Sequence, residues 1–286
     1  REPASPRLRT SLPRAGTPGG RLGVGRRTPH LWRIREELPP RTRAMLMATS
    51  IAMPVVLWVL LSSTTDTLFT PSLPRIWEAG QALATSGLLL EDAWVSMRRV
   101  MTGFAISLAI SIPLGLAMGA FRSIQALFEP FIAFVRYMPA PAFVPLLIIA
   151  MGLGEAPKIA LIVIGTVFFN TLMISNVVWQ VPTELIRAAF TLGAGSFGVF
   201  RKVIFPYSVP GVIDAARVNL AAAWNLVVVA ELFAANEGLG LRIVRMQKFL
   251  QTDSIWALLV VIGVLGLVTD LSLRIARDRL APWSQE

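Results

Sequence analysis

The sequence predicts an all-α membrane protein with about six transmembrane helices. Three observations carry that expectation. Of the residues, 54% are hydrophobic and only 15% charged, where soluble domains carry about a quarter. Long apolar runs recur, each near the roughly 20 residues that a helix needs to cross hydrocarbon. Basic residues collect on alternate connections between these runs. Cysteine is absent, which excludes disulfides and thiol chemistry. The single histidine, His30, lies in a polar N-terminal segment, so the spans hold no histidine cluster for a metal or for proton transfer. No catalytic residue and no metal site is expected.

Residues 1–43 are rich in Arg, Pro and Gly, with PRAGTPGGRLGVGRR in the middle and no apolar periodicity. They are expected to form a disordered basic tail that attracts anionic lipid headgroups. Interleaved aromatics and a folded scaffold are missing, so no nucleic acid is expected as a partner. Nor does the segment have the form of a cleaved signal peptide. Residues 44–286 make the membrane domain. Its apolar runs are 44–61, 104–121, 124–151, 159–179, 209–235 and 255–273. The third is interrupted by Pro139, Pro141 and Pro145, which a bundle tolerates where the freed backbone groups face protein or a wet cavity.

Orientation follows from the positive charges. With a cytoplasmic N-terminus, the inner side collects the eleven arginines from Arg1 to Arg43, then Arg122, Arg187, Arg201, Lys202, Arg274, Arg277 and Arg279. The outer side keeps Arg75, Arg98, Arg99, Lys158, Arg242, Arg245 and Lys248, mixed with acidic residues. Both termini and residues 183–206 are therefore expected in the cytoplasm.

Those residues, TELIRAAFTLGAGSFGVFRKVIFP, are a polar island between two apolar runs. Leu185, Ala188, Ala189 and Leu192 follow helical spacing behind Pro182 and Thr183, and Gly193 and Gly195 break the helix. A second short helix is expected to start behind Ser196 and to stop at Pro206. The layout resembles the cytoplasmic coupling loop of permease subunits of bacterial ABC importers, whose pattern is Glu-Ala-Ala, three residues, Gly, nine residues, then Ile-x-Leu-Pro. Here Ala188 and Ala189 lead to Gly193, and nine residues later come Val203, Ile204, Phe205 and Pro206. The pattern's Glu is replaced by Arg187, and an acidic residue, Glu184, lies one turn earlier.

Other stretches resemble the branch of those permeases that serves nitrate, sulfonate, taurine and bicarbonate. One has Pro71 and Pro74 in a turn, Ile76 and Trp77 at a helix start, Ser96, Arg99 and Val100, then Gly103, Gly115 and Gly119. FEPFIAFVRYMPAPAFVPLLIIAMGLGEAPKIALIVIGTVFFNT and AELFAANEGLGLRIVRMQKFLQTD are similar to the third and fourth spans and to the last outer loop. The resemblance extends over residues 68–283. It implies a type I ABC importer permease fold in the bacterial inner membrane and transport by alternating access. It also implies cytoplasmic ATPase subunits that bind ATP and Mg, a second permease copy in a homodimer, and a periplasmic or lipid-anchored solute-binding protein. The chain has no Gly-x-x-x-x-Gly-Lys-Ser/Thr loop of its own, so it is not expected to be the enzyme. Glu184, Arg187, Ala188, Ala189, Gly193 and Pro206 would then make the ATPase contact.

Polar groups inside spans are costly, and those present are candidates for a pathway or for helix contacts. They include Asn170 and Asn176 in the fourth run and Arg217, Asn219, Asn225 and Glu231 in the fifth. Arg136 and Arg217 suit an anion importer through a positive field, against snorkelling or, for Arg217, a pair with Asp214. A secondary carrier or channel is the alternative, but the halves show no repeat. An intramembrane hydrolase lacks its nucleophile and base, since Asp214 and Asp270 stand far apart without a supporting motif.

Overall fold

The computed structural model describes residues 38–64, 69–234 and 236–284. The tail up to residue 37, with His30, lies outside the described residues. The helices are α1 (Pro40–Thr64), α2 (Leu73–Thr85), α3 (Leu88–Ala120), α4 (Arg122–Val135), α5 (Val144–Met151), α6 (Glu155–Trp179), α7 (Thr183–Thr191), α8 (Ser196–Val199), α9 (Phe205–Ala234), α10 (Leu239–Lys248) and α11 (Thr252–Leu280). Five helical stretches are long and apolar enough to cross a membrane, and a sixth crossing is made if α4 and α5 count as one bent span.

The chain divides after Leu57 into two units. In the first, the apolar side chains of α1 from Met45 to Leu57 are largely exposed, as suits a helix solvated by lipid. Within the second, Trp58 meets the Trp256 ring edge-on at 4.4 Å, and its indole N–H donates to the Pro71 carbonyl at 3.1 Å.

The second unit is built on α3 and α6, which make its most extensive helix pairing. Three glycines let them approach. A Cβ on Gly103 would lie 2.8 Å from Ile162 Cβ, one on Gly115 2.7 Å from the Thr171 carbonyl, and one on Gly119 2.4 Å from Val178 Cβ. Lipid tails solvate apolar side chains as well as protein does, so association of membrane helices depends on such close contact. Helix α9 packs on the same pair, and α11 packs on α9. Val100, Phe104, Ile162, Leu220, Trp224 and Val227 form the shared core.

Three expectations change. The helix of the second span starts not at residue 104 but at Leu88, because no proline interrupts it before Pro113 and its early polar residues Asp92, Ser96 and Arg99 are bonded on one face. At 33 residues α3 is about 50 Å long, so its first three turns lie beyond a hydrocarbon core of about 30 Å. The third span breaks into α4 and α5, which with the short 3-10 turn Ala140–Phe143 is bent by 83°. Pro141 and Pro145 each fall in the first turn of a new helix, where a missing N–H costs nothing. Finally, Pro206 does not stop the helix that starts at Ser196. A π-turn over Phe200–Ile204 leads directly into α9, and the Phe205 N–H reaches back five residues to the Phe200 carbonyl. The wider turn accommodates the proline that follows.

The α3–α6 seam makes a direct prediction. Gly119→Ala should destabilise the purified protein by about 1–3 kcal/mol through overpacking, seen as a lower midpoint in thermal unfolding. Adding Val178→Ala should recover only part of the loss, because alanine keeps the Cβ that lies 2.4 Å from the new one and the Ser175 carbonyl stays at 2.8 Å.

Candidate functional site

The bundle has two chemically distinct ends. At one, α7 and α8 form a projecting knob. Ile186, Ala189 and Ala194 face inward onto Ile174, Val178 and Val199, which fixes the knob to the ends of α3, α6 and α9. Leu185, Phe190, Leu192 and Phe197 face outward, Leu192 at 87% and Phe197 at 72% exposure. Glu184, Arg187 and Ala188 are exposed on the same short helix, while Pro206 is half-buried at the start of α9. Gly193 takes φ +83° between the two helices, and its N–H donates to the Phe190 carbonyl at 2.9 Å. Four exposed large apolar groups on a polar loop make a surface suited to a protein groove.

At the opposite end lies a buried polar network. Arg99, 1% exposed, donates from Nε and Nη2 to the two Glu155 oxygens at 2.6 Å each. Its Nη1 donates to Glu231 Oε1 and to the Glu237 carbonyl, both at 2.8 Å. Glu231 is fully buried and also accepts from Ser96 Oγ at 2.7 Å and from the Gly240 N–H at 2.8 Å. Asp92 accepts from the Gly238 N–H at 2.8 Å and from Arg242 Nε at 2.6 Å, and Lys158 donates to Glu155 at 2.8 Å. Asp92, Glu155 and Glu231 thus face Arg99, Lys158 and Arg242, with the Glu237 carboxylate 4.0 Å from Arg99 at the edge. Glycine is needed both before α10 and in its first turn: a Cβ on Gly238 would lie 2.5 Å from Glu231 Cδ, and one on Gly240 2.8 Å from Glu231 Cβ. The network ties α3, α6, α9 and α10 together. In the sequence, Ser96 and Arg99 stand out only through the family resemblance, Glu231 as a polar span residue, and the others as outer-side charges. The signal left unused is the helical spacing of Asp92, Ser96 and Arg99 at i, i+4 and i+7.

The pathway candidates separate into three groups. Asn170 is buried between α6 and α3 and donates to Ser107 Oγ at 3.2 Å; Asn219 is buried between α9 and α6, with its Nδ2 3.1 Å from Met173 Sδ. Both lie between helices. Arg217 is paired, though chiefly with Asp270 of α11 at 3.0 and 2.8 Å and only secondarily with Asp214 at 3.4 Å. Arg277 completes the cluster at 3.1 Å from Asp214. Asp214 and Asp270, distant in sequence, therefore converge on one cation. Asn176, Asn225 and Arg136 remain at least partly open on α6, on α9 and at the α4 bend. Among the described residues, no three His, Asp or Glu side chains converge as metal ligands.

Removing one partner of the buried network leaves an uncompensated charge, so Glu231→Ala should cost about 3–5 kcal/mol. In thermal unfolding, the Arg99→Leu/Glu231→Leu double variant should lose less than the sum of its single variants. Strict additivity would mean that the pair is not coupled.

Residues 111–283 match the family described as the binding-protein-dependent transport system inner membrane component. A probable ABC transporter permease protein of Brucella abortus (strain 2308) is 37% identical over 228 residues, 80% of this chain and 91% of that protein. The taurine transport system permease protein TauC of Escherichia coli (strain K12) is 30% identical over 266 residues, 90% of this chain and 96% of that one. Among solved structures, an inward-facing conformation of the MetNI methionine ABC transporter aligns with a TM-score of 0.57 at 20% identity, over 76% of this chain and 100% of that chain. That likeness is one of fold. Spans, knob and family match agree: the chain belongs to the binding-protein-dependent transport inner membrane components and is a multi-pass permease subunit of an ABC transporter, not itself the ATPase.

Proposed function

We propose that this permease forms one half of the pathway of an ATP-driven importer for a small anion or organic solute of the class of taurine, alkanesulfonates, nitrate or bicarbonate. The observation that carries the reading is the α7–α8 knob, an apolar surface held rigidly by the bundle yet exposed to its surroundings. Cytoplasmic ATPase subunits, with ATP and Mg bound between them, grip this knob on each of two permease copies in a homodimer. Movement of the knob passes along the unbroken helical path from Ser196 through the π-turn into α9. Glu184, Arg187, Ala188 and Ala189 supply the polar and small surface around the apolar contacts, Gly193 its turn and Pro206 its junction with α9. A periplasmic or lipid-anchored binding protein delivers solute to the opposite end, and both termini are cytoplasmic. Asn176 and Asn225 are the carboxamides placed to meet the solute or the second copy. The sulfonate end of the range is supported by the relation to a taurine permease.

The turn at Gly193 provides the test. A Cβ there meets nothing within 4 Å, so substitution acts through backbone strain alone. A β-branched residue at φ +83° is strongly disfavoured, whereas Asn tolerates that region. Gly193→Val should therefore leave the spans folded but lower solute-stimulated ATP hydrolysis of the purified complex about tenfold or more, equivalent to ~1.4 kcal/mol in the coupled step. Gly193→Asn should retain most of it. Full stimulation and uptake in the Val variant would remove the knob from the coupling role.

A further inference from the structure

The broken span carries a charge that no carboxylate among the described residues neutralises. Arg136 sits at the C-cap of α4, where the 83° bend begins. Among the described residues no carboxylate forms an ion pair with it. Its Nη2 donates to the Tyr137 hydroxyl at 3.2 Å, and its guanidinium carbon lies 4.9 Å from the centre of that ring. Its Nε is buried without an acceptor. The contrast with Arg99, Arg217 and Arg277 is direct, since each of those has carboxylate partners.

The bend also lies deep. Ala140, four residues on, sits where a Cβ on Gly165 would come within 3.0 Å of it. Gly165 is ten residues into α6 from Glu155, about 15 Å along the helix, or half of a hydrocarbon core of about 30 Å. Leu226 of α9 fills the same space over Gly165, and its neighbour Asn225 is exposed. A guanidinium and a carboxamide thus stand near one level, the first half-buried and the second exposed among the described residues. Facing lipid, an unpaired cation at that depth is strongly unfavourable, and anionic headgroups lie too far away to pair with it. Facing a wet passage it has a use.

We infer that Arg136 receives the oxyanion head of the solute midway through the membrane. The inference rests on the importer reading above and gives the sulfonate, nitrate or carbonate-type group of such a solute its partner in the passage. A guanidinium matches two oxygens of such a group with two parallel N–H donors. Tyr137 engages only one of its five N–H groups, which leaves one N–H on Nη2 and two on Nη1 to form the pair. With two copies of the chain, the passage would hold two such cations, one on each side.

The experiment uses the complete transporter, with its ATPase subunits and binding protein, in proteoliposomes. Radiolabelled taurine, ethanesulfonate, nitrate and bicarbonate are the probes, and uptake is expressed per assembled complex. For the best-transported probe, Arg136→Gln should raise the concentration for half-maximal uptake about tenfold, the loss of one charge-assisted contact. Arg136→Lys, which keeps the charge but not the fork, should raise it about threefold. Half-saturation within twofold of wild type in the Gln variant overturns the inference. So does a fall in the amount of assembled complex with unchanged half-saturation, which would mean that Arg136 pairs with a group on the second copy. If the wild-type complex transports none of the four probes above protein-free vesicles, the anion assignment fails. Copurification with the ATPase subunits still tests the permease reading separately.

Discussion

The structure depends on how closely α3 and α6 can approach. In water, two apolar helices associate because they remove surface from solvent; in lipid that gain vanishes, and contact must come from shape and from polar groups that have nowhere else to bond. Gly103, Gly115 and Gly119 supply the shape, and the Ser107–Asn170 hydrogen bond supplies a polar clasp inside the seam. Each end of the molecule is then built on the same pair. At one end Leu116 of α3 with Ile174 and Val178 of α6 forms the shelf under α7 and α8. At the other, Arg99 of α3 and Glu155 of α6 close a bidentate pair and recruit α9 through Glu231. One closely packed pair thus carries an exposed apolar knob at one end and a buried polar network at the other.

The charges show a consistent economy. Where α3 outruns the hydrocarbon, ionic side chains of both signs pair with one another, and further bonds go to the backbone leading into α10. Lower in the bundle, Arg217 links α9 to α11 through Asp270, and Trp224 repeats the link through Thr269 at 3.1 Å. Both clusters hold helices together and use up their charge in doing so. Among the described residues Arg136 at the broken span bonds only to the neighbouring Tyr137, and this contrast with Arg217 is the basis of the inference drawn for it.

Much of this was legible in the sequence because membrane crossing imposes a length and a composition on each span. The knob was also legible, since a polar island with paired glycines between apolar runs has few other uses. What was not legible depended on partners distant in the chain. Asp92, Ser96 and Arg99 look like an exposed amphipathic turn until Glu231, Gly238 and Arg242, more than 130 residues later, close over them. Arg217 reads naturally as the partner of Asp214 one turn away, whereas the shorter contacts go to Asp270 on another helix. Proline rules misplaced the end of the second knob helix because a π-turn is a geometric accommodation without a composition of its own.

The central claim is that the α7–α8 end, and not the α10 end, meets the ATPase. It is tested most directly by placing a photoactivatable crosslinker at Phe197 or at Phe249, both strongly exposed and at opposite ends of the bundle. The account predicts a covalent adduct with the ATPase subunit from Phe197 and none from Phe249. An adduct from Phe249, or none from Phe197 in a complex that copurifies intact, would contradict it.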